Sequence, residues 1–288
     1  SLSCSLICLL LLLIVYSLLP SLRTLPGMNI MSLSIAFILW NIRQLNLHSR
    51  YFYTQNEDIE DPCPPWVISW RITYFSVLTN AVVNVYHLRK SFCNDTRKKS
   101  NEKKMSIFFR YIAFSWGFPL IIAISEFAVT KANLITYHFF NFIGNNPCFY
   151  YYTRNSFSYV WFISIEHVLP NCLLSYIFFV FIFTGVQIRK KLRASRSIAE
   201  TSKIVKNRKN FVILLKLLTT TGLTWVPFMY LVNYILYDYN TAMVLYPPTL
   251  FTGVYIAIAF VFTRKNYQLL TKKFLAKKGP QAEVDCEL

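Results

Sequence analysis

Four ionisable residues, Arg71, Glu126, Glu166 and Lys216, interrupt otherwise apolar stretches of the chain. A charge carried into hydrocarbon is costly, and where it persists it is paired, reaches water at its tip, or serves function. Arg71, Glu126 and Glu166 fall near corresponding ends of their segments and could line a charged outer pocket. The plainer account, which we weigh somewhat above the pocket, is an Arg71–Glu126 ion pair or Arg71 snorkelling to headgroups. Lys216 lies about a turn inside its segment and reads as a snorkelling cation. A second pattern has a clearer geometry. Ser69, Thr73, Ser76, Asn80, Asn84 and His87 follow one another over 18 residues in five steps. That mean step of 3.6 is the α-helical period, so all six groups share one narrow face. Unpaired polar groups are expensive in lipid, so the face must look inward. It serves either as hydrogen-bonding glue between helices or as the lining of a ligand or conducting cavity. Arg71 is about 200° round the helix from Ser69, off the stripe.

The chemistry these groups offer is recognition and hydrogen bonding rather than catalysis. The four His residues form no HExxH, no CxxC pair occurs, and the seven Gly build no phosphate-cradling loop. We therefore expect no enzyme, no metal site and no cofactor.

Positioning such groups requires membrane helices. Of 288 residues, 55% are apolar, with 25 Phe and 19 Tyr, and long runs poor in charge point to membrane spans. The sequence predicts an all-α bundle in one domain over 1–288. Its seven spans lie at about 2–20, 28–45, 66–88, 107–130, 158–186, 209–236 and 244–263. An amphipathic helix at 264–276 and a tail at 277–288 follow. The net charge of +17 would suggest nucleic acid in a soluble protein. Here 24 of the 30 Lys and Arg cluster at residue 23 and in the blocks 89–110, 189–209 and 264–278. The loops between these blocks carry few basic residues, and one holds Glu57, Asp58, Glu60 and Asp61. By the positive-inside rule the basic blocks are cytoplasmic, which puts the N-terminus outside and the C-terminus inside. The blocks also favour anionic lipid, at about 1 kcal/mol for each cation near the surface. They suggest no nucleic-acid partner.

Cys4, Cys8 and Cys172 lie in apolar spans and are expected in the core. Cys93 and Cys286 are on the reducing side. Cys63 and Cys148 are the two in predicted extracellular loops, and a disulfide between them would tie the loop after the fourth span to the mouth of the third.

Several stretches carry a family resemblance. LRTLPGMNIMSLSIAFIL resembles the first loop and second span of the Methuselah-type receptors of insects and other arthropods, within the secretin-like (class B) G-protein-coupled receptors. RYIAFSWGFPLII resembles their fourth-span signature through Trp116, Gly117 and Pro119. GNNPCFYYY resembles their loop cysteine motif, with Phe149 where Trp is usual. LLKLLTTTGLTWVPF resembles their sixth span around Gly222, Leu223 and Trp225, and TGVYIAIAFVFTRKNYQLL their seventh, with Gly253 in place and Thr252 where Gln is common. The chain departs from the pattern at Ile177 and Phe178, where Asn is usual, and at Val82 and Val83, where the third span usually carries Trp. Trp225-Val226-Pro227 is also similar to the rhodopsin-like sixth span. The third span's VYHLRK ending and the lack of an Asn-Pro pair in the seventh are unlike that class.

The resemblance implies a plasma-membrane receptor that passes an extracellular, possibly peptide, signal to a heterotrimeric G protein. The family's ectodomain would precede Ser1, and the first Met is Met28. Pro227 removes a backbone hydrogen bond and permits a bend in the sixth span, with Trp225 expected against the polar face. Outward movement there would open a cytoplasmic cleft walled by Arg89, Lys90, Arg189, Lys190, Arg193 and Lys209. The rival readings are a transporter or channel, an inverted chemoreceptor channel, and a truncated receptor relic that does not signal. Repeats or paired broken helices, which mark transporters, are not seen in the sequence. The orientation has a direct test. Asn94-Asp95-Thr96 is a glycosylation sequon on the predicted cytoplasmic side, so mass spectrometry should find Asn94 unmodified. Glycan there would reverse the topology.

Overall fold

The computed structural model describes residues 2–53, 63–93, 104–131, 136–139, 148–151, 160–161, 163–195 and 251–263, with helical positions 266, 268, 269 and 271. Five helices come first: α1 (Leu2–Leu18), α2 (Leu25–Tyr53), α3 (Cys63–Cys93), α4 (Lys104–Lys131) and α5 (Leu169–Ser195). A last helix, α6 (Thr252–Phe260), belongs to the predicted seventh span. The predicted sixth span, with Gly222, Trp225 and Pro227, lies outside the described residues.

Leu25–Asn46, Met105–Val129 and Ile163–Gln187 are long and apolar enough to cross a membrane, and Leu2–Leu18 is a shorter apolar helix. With 31 residues, α3 spans about 46 Å, ample for a bilayer. Its polar stripe and charges make it less apolar than its neighbours. The helices overrun the predicted spans. The second reaches Tyr53, the third Cys93 and the fifth Ser195. Nothing in their flanks breaks a helix, and a polar flank can continue helical beyond the hydrocarbon, because the i→i−4 bonds do not depend on lipid.

Packing is inverted relative to a water-soluble domain. Ser5, Ser34, Arg71, Ser76, Thr79 and Glu126 are fully buried, whereas Ile121, Ile124 and Phe179 are about two-thirds exposed. An apolar exterior around polar ties suits a bundle solvated by hydrocarbon. The main apolar core joins α1, α2, α3, α4 and α6 through residues such as Leu9, Phe37, Phe75, Ile122 and Ile256. A second cluster packs Ala81, Val82 and Val85 of α3 on Ile177 and Val180 of α5. Cys4 and Cys172, expected in the core, are instead exposed, and Cys8 is half-buried. An apolar span has a lipid face as well as a core face, and hydrophobicity alone does not separate them.

The loop after α4 contains a hairpin. Strand β1 (Thr136–Phe139) pairs antiparallel with β2 (Cys148–Tyr151), Thr136 opposite Tyr151 and Phe139 opposite Cys148. Both strands lie against α3. Before α5, Ile163–Val168 forms a wide π-helical turn. Pro170 follows at once, and its missing N–H and its ring disfavour the regular α-turn there.

Helices α1 and α6 meet at Gly253. A Cβ at this position would collide with the Ser5 backbone oxygen and hydroxyl and would lie 2.8 Å from Leu9. The bare backbone instead donates from Gly253 N to Ser5 Oγ at 2.9 Å, and Asn41 Nδ2 of α2 donates to the same oxygen at 3.1 Å. One serine thus caps an orphan N–H of α6 and ties three helices. At the other end, Asn266 Nδ2 donates to Phe260 O at 2.7 Å, satisfying a terminal carbonyl, while Thr263 Oγ1 accepts from Asn266 N at 3.3 Å.

Pro119 sits inside α4. Lacking an N–H, it leaves the carbonyl of Ser115, four residues earlier, without its helical donor. Thr79 Oγ1 of α3 lies 2.7 Å from that oxygen. It is equally close to Phe75 O of its own helix, but that carbonyl already receives an i→i−4 bond. The hydroxyl proton is therefore best used on Ser115. Thr79→Val should destabilise the chain by about 1–3 kcal/mol, the usual cost of orphaning a buried polar group. In a Pro119→Ala background, where α4 can supply its own N–H, the same change should cost clearly less. Unfolding in detergent measures this cycle, and additive effects would refute the assignment.

Candidate functional site

Helix α3 packs against α2, α4 and α5, so its faces decide what the bundle interior contains. Of the predicted stripe, Thr73, Ser76, Asn80 and Asn84 are buried, while Ser69 and His87 are half-buried. Thr73 Oγ1 donates back to Ser69 O at 3.0 Å. Asn80 Nδ2 donates to Ser76 O at 2.7 Å and Asn84 Nδ2 to Asn80 O at 2.9 Å. Each asparagine thus satisfies its amide nitrogen within α3 and can offer its oxygen elsewhere.

Asn80 makes that offer to α2. Ser32 Oγ donates to Asn80 Oδ1 at 2.7 Å and accepts from Trp116 Nε1 of α4 at 3.0 Å. The hydroxyl's one proton and one lone pair are used in a relay Trp116→Ser32→Asn80 across three helices. Trp116 and Asn80 were singled out by motif and period; Ser32 was not, because a lone serine in an apolar helix carries no signal until the register is known. Near the predicted cytoplasmic end, His87 Nδ1 lies 3.4 Å from Tyr111 Oη of α4. Ser76 Oγ, fully buried, has no hydrogen-bond partner among the described residues.

The charged candidates resolve differently. Arg71 Nε donates to Glu126 Oε2 at 3.0 Å and Oε1 at 3.3 Å, with both side chains fully buried. The pair joins α3 to α4 and spends its charges internally. Around it, Arg71 and Arg43 place their guanidinium carbons 5.7 and 5.6 Å from the Trp70 ring centroid, within cation–π range. Trp40 and Tyr74 extend the aromatic cluster, with ring centroids 6.3 and 5.5 Å from Trp70. The Glu166 side chain lies outside the described residues. A shallow groove of about 500 Å³ is bounded by His167, Val168, Asn171, Cys172 and Ser175 of the fifth span; neither Arg71 nor Glu126 lines it.

The remaining candidates fall as follows. Cys63 opens α3 and Cys148 opens β2, and the hairpin rests on α3; the sulfur positions lie outside the described side chains. Trp116 is half-buried and Pro119 buried. Gly117 has open space where a Cβ would go, whereas Gly253 does not, so of these two candidates close packing requires glycine at Gly253. Arg89 and Lys90 end α3, and Arg189 and Lys190 lie in the last turns of α5, all exposed. Arg89 covers Phe183 of α5 at 5.4 Å, which links the two basic ends. The Arg193 side chain and all of Lys209 lie outside the described residues.

No protein-family model matches the sequence, and no curated protein is similar to it. The fold is similar to that in a crystal structure of squid rhodopsin, with a TM-score of 0.68 at 11% identity over 96% of this chain and 82% of that one. The chain thus has a rhodopsin-like helical fold.

The Arg71–Glu126 pair supplies a test. Breaking a buried pair from one side strands a charge at a cost of about 3–5 kcal/mol, whereas removing both partners together costs far less. Arg71→Met and Glu126→Leu should each lower the unfolding midpoint strongly, and the double variant should recover much of the loss. Additive losses would show that the two residues act separately.

Proposed function

We propose that this chain is a receptor that converts an extracellular event into engagement of a heterotrimeric G protein at the plasma membrane, and that it is of the Methuselah-type, secretin-like group. One observation carries the receptor reading. A rhodopsin-like helical fold is organised on a buried polar axis, α3, which runs from a charged aromatic cluster at one end to exposed arginine and lysine at the other. The sequence motifs around Trp116, Pro119, Trp225 and Gly253 support the group. A disulfide from Cys63 to Cys148 would hold the β1–β2 hairpin over the outer mouth.

In this reading Arg71, Glu126 and Glu166 mark the outer region where a ligand, possibly a peptide, acts. The sixth span, bent at Pro227, is the moving element. Ser76, whose buried hydroxyl is unpaired among the described residues, is the group on the axis that Trp225 or its neighbours would meet. A ligand shifts such a two-state element only through different contacts in its two states. At the inner end, Arg89, Lys90, Arg189, Lys190, Arg193 and Lys209 would face the effector, while anionic lipid holds the basic flanks.

The test uses cells expressing the chain with resonance reporters of G-protein dissociation for each G-protein class. Basal dissociation above mock cells is expected with at least one class. Reversing Arg89, Lys90, Arg189 and Lys190 to Glu should abolish it at unchanged surface expression. Solute or ion flux in proteoliposomes, with no reporter responding, would favour the transporter or channel reading instead.

A further inference from the structure

The face of α5 turned away from the bundle is not uniformly apolar. Pro170, Ile177, Val180 and Thr184 are the buried side of the fifth span. At 100° per residue, Asn171, Cys172 and Ser175 point the opposite way, and all three are exposed. They lie well inside the apolar stretch Ile163–Gln187, about 12 to 18 Å along the helix from its outer end. Neither Asn171 nor Ser175 has a hydrogen-bond partner among the described residues. Hydrocarbon offers none, and an amide left there loses all of its hydrogen bonds. Farther inward the same face is apolar, with Phe179 69% exposed and Ile182 and Val186 each 47%.

We propose that this face is a docking surface for a second copy of the chain, with Asn171 at its centre. The chemistry selects that occupant. A carboxamide is at once donor and acceptor. Two copies related by a twofold axis necessarily bring Asn171 to Asn171 at one depth, where each amide completes the other. Cys172 and Ser175 are small and allow two helices to approach closely, as membrane interfaces require. The shallow groove that they line with His167 and Val168 receives the opposing side chains, and Phe179, Ile182 and Val186 continue the contact inward. The inference does not depend on the receptor reading.

Cys172 is itself the reporter. In Cys4→Ser chains, reconstituted in phosphatidylcholine vesicles at high lipid-to-protein ratio, copper-phenanthroline oxidation should yield a dimer that reductant reverses and Cys172→Ser abolishes. Asn171→Leu should reduce the dimer fraction by about 3- to 20-fold, the range expected for one interhelical hydrogen bond, and Asn171→Gln should restore part of it. The lipid-facing position predicts an unchanged unfolding midpoint for the monomer, which separates lost association from lost folding. Absence of a Cys172-dependent dimer would overturn the proposal, whether lipid, the chain's own 209–236 segment or a different protein covers the face. An undiminished dimer in Asn171→Leu would overturn the role of the amide.

Discussion

A polar group taken into hydrocarbon has no water to fall back on, and the arrangement of this bundle follows from that constraint. The apolar effect that drives soluble folding is weak between helices already solvated by lipid tails, so packing and hydrogen bonds must choose which helices meet. Here the choice falls on α3. It carries the Thr79 hydroxyl to α4, the Asn80 oxygen to α2 and the Arg71 guanidinium to Glu126. Each tie has its own depth. Together with His87 and Tyr111 they fix the antiparallel register of α3 and α4 from one end to the other. Slipping one helix past the other by a turn would leave several of these groups unpaired at once.

Pro119 shows how a defect in one helix becomes a contact with another. A proline within a span would normally cost a hydrogen bond and clash with the preceding turn. The chain turns the orphan carbonyl toward α3, where Thr79 lies within reach. Gly253 works in the opposite sense, removing a side chain so that an N–H can reach Ser5. In both places a residue that weakens its own helix strengthens the join between helices.

Some of this was legible from sequence. The stripe from Ser69 to His87 is a direct consequence of helical period, and the polar burial of α3 follows from lipid intolerance. Arg71 was visible as a charge needing an account, with Glu126 among the possible partners. Ser5, Ser32, Asn41, Ser115 and Tyr111 were not, although each completes a tie. Single polar residues in apolar runs recur by chance, and their partners are defined only by the rotation and register of two helices at once. Cys4 and Cys172 were misplaced for the related reason that composition cannot tell a lipid face from a core face. The hairpin in the loop after α4 was hidden by its aromatic, irregular composition, and the wide turn before Pro170 by the absence of any periodic break.

The join between α3 and α5 bears on the same physics. Val82 of α3 and Ile177 of α5 lie in one contact between the two helices. Because both sides are branched aliphatics, the contact closes without a buried polar group, and the α3–α5 join relies on packing where the α3–α4 and α3–α2 joins rely on hydrogen bonds. Packing contacts tolerate sliding and rotation better than directional bonds, which must be broken to move. Among the described joins, those made by Thr79, Asn80 and Arg71 are therefore the fixed ones, and the α5 side of α3 is where a conformational change costs least.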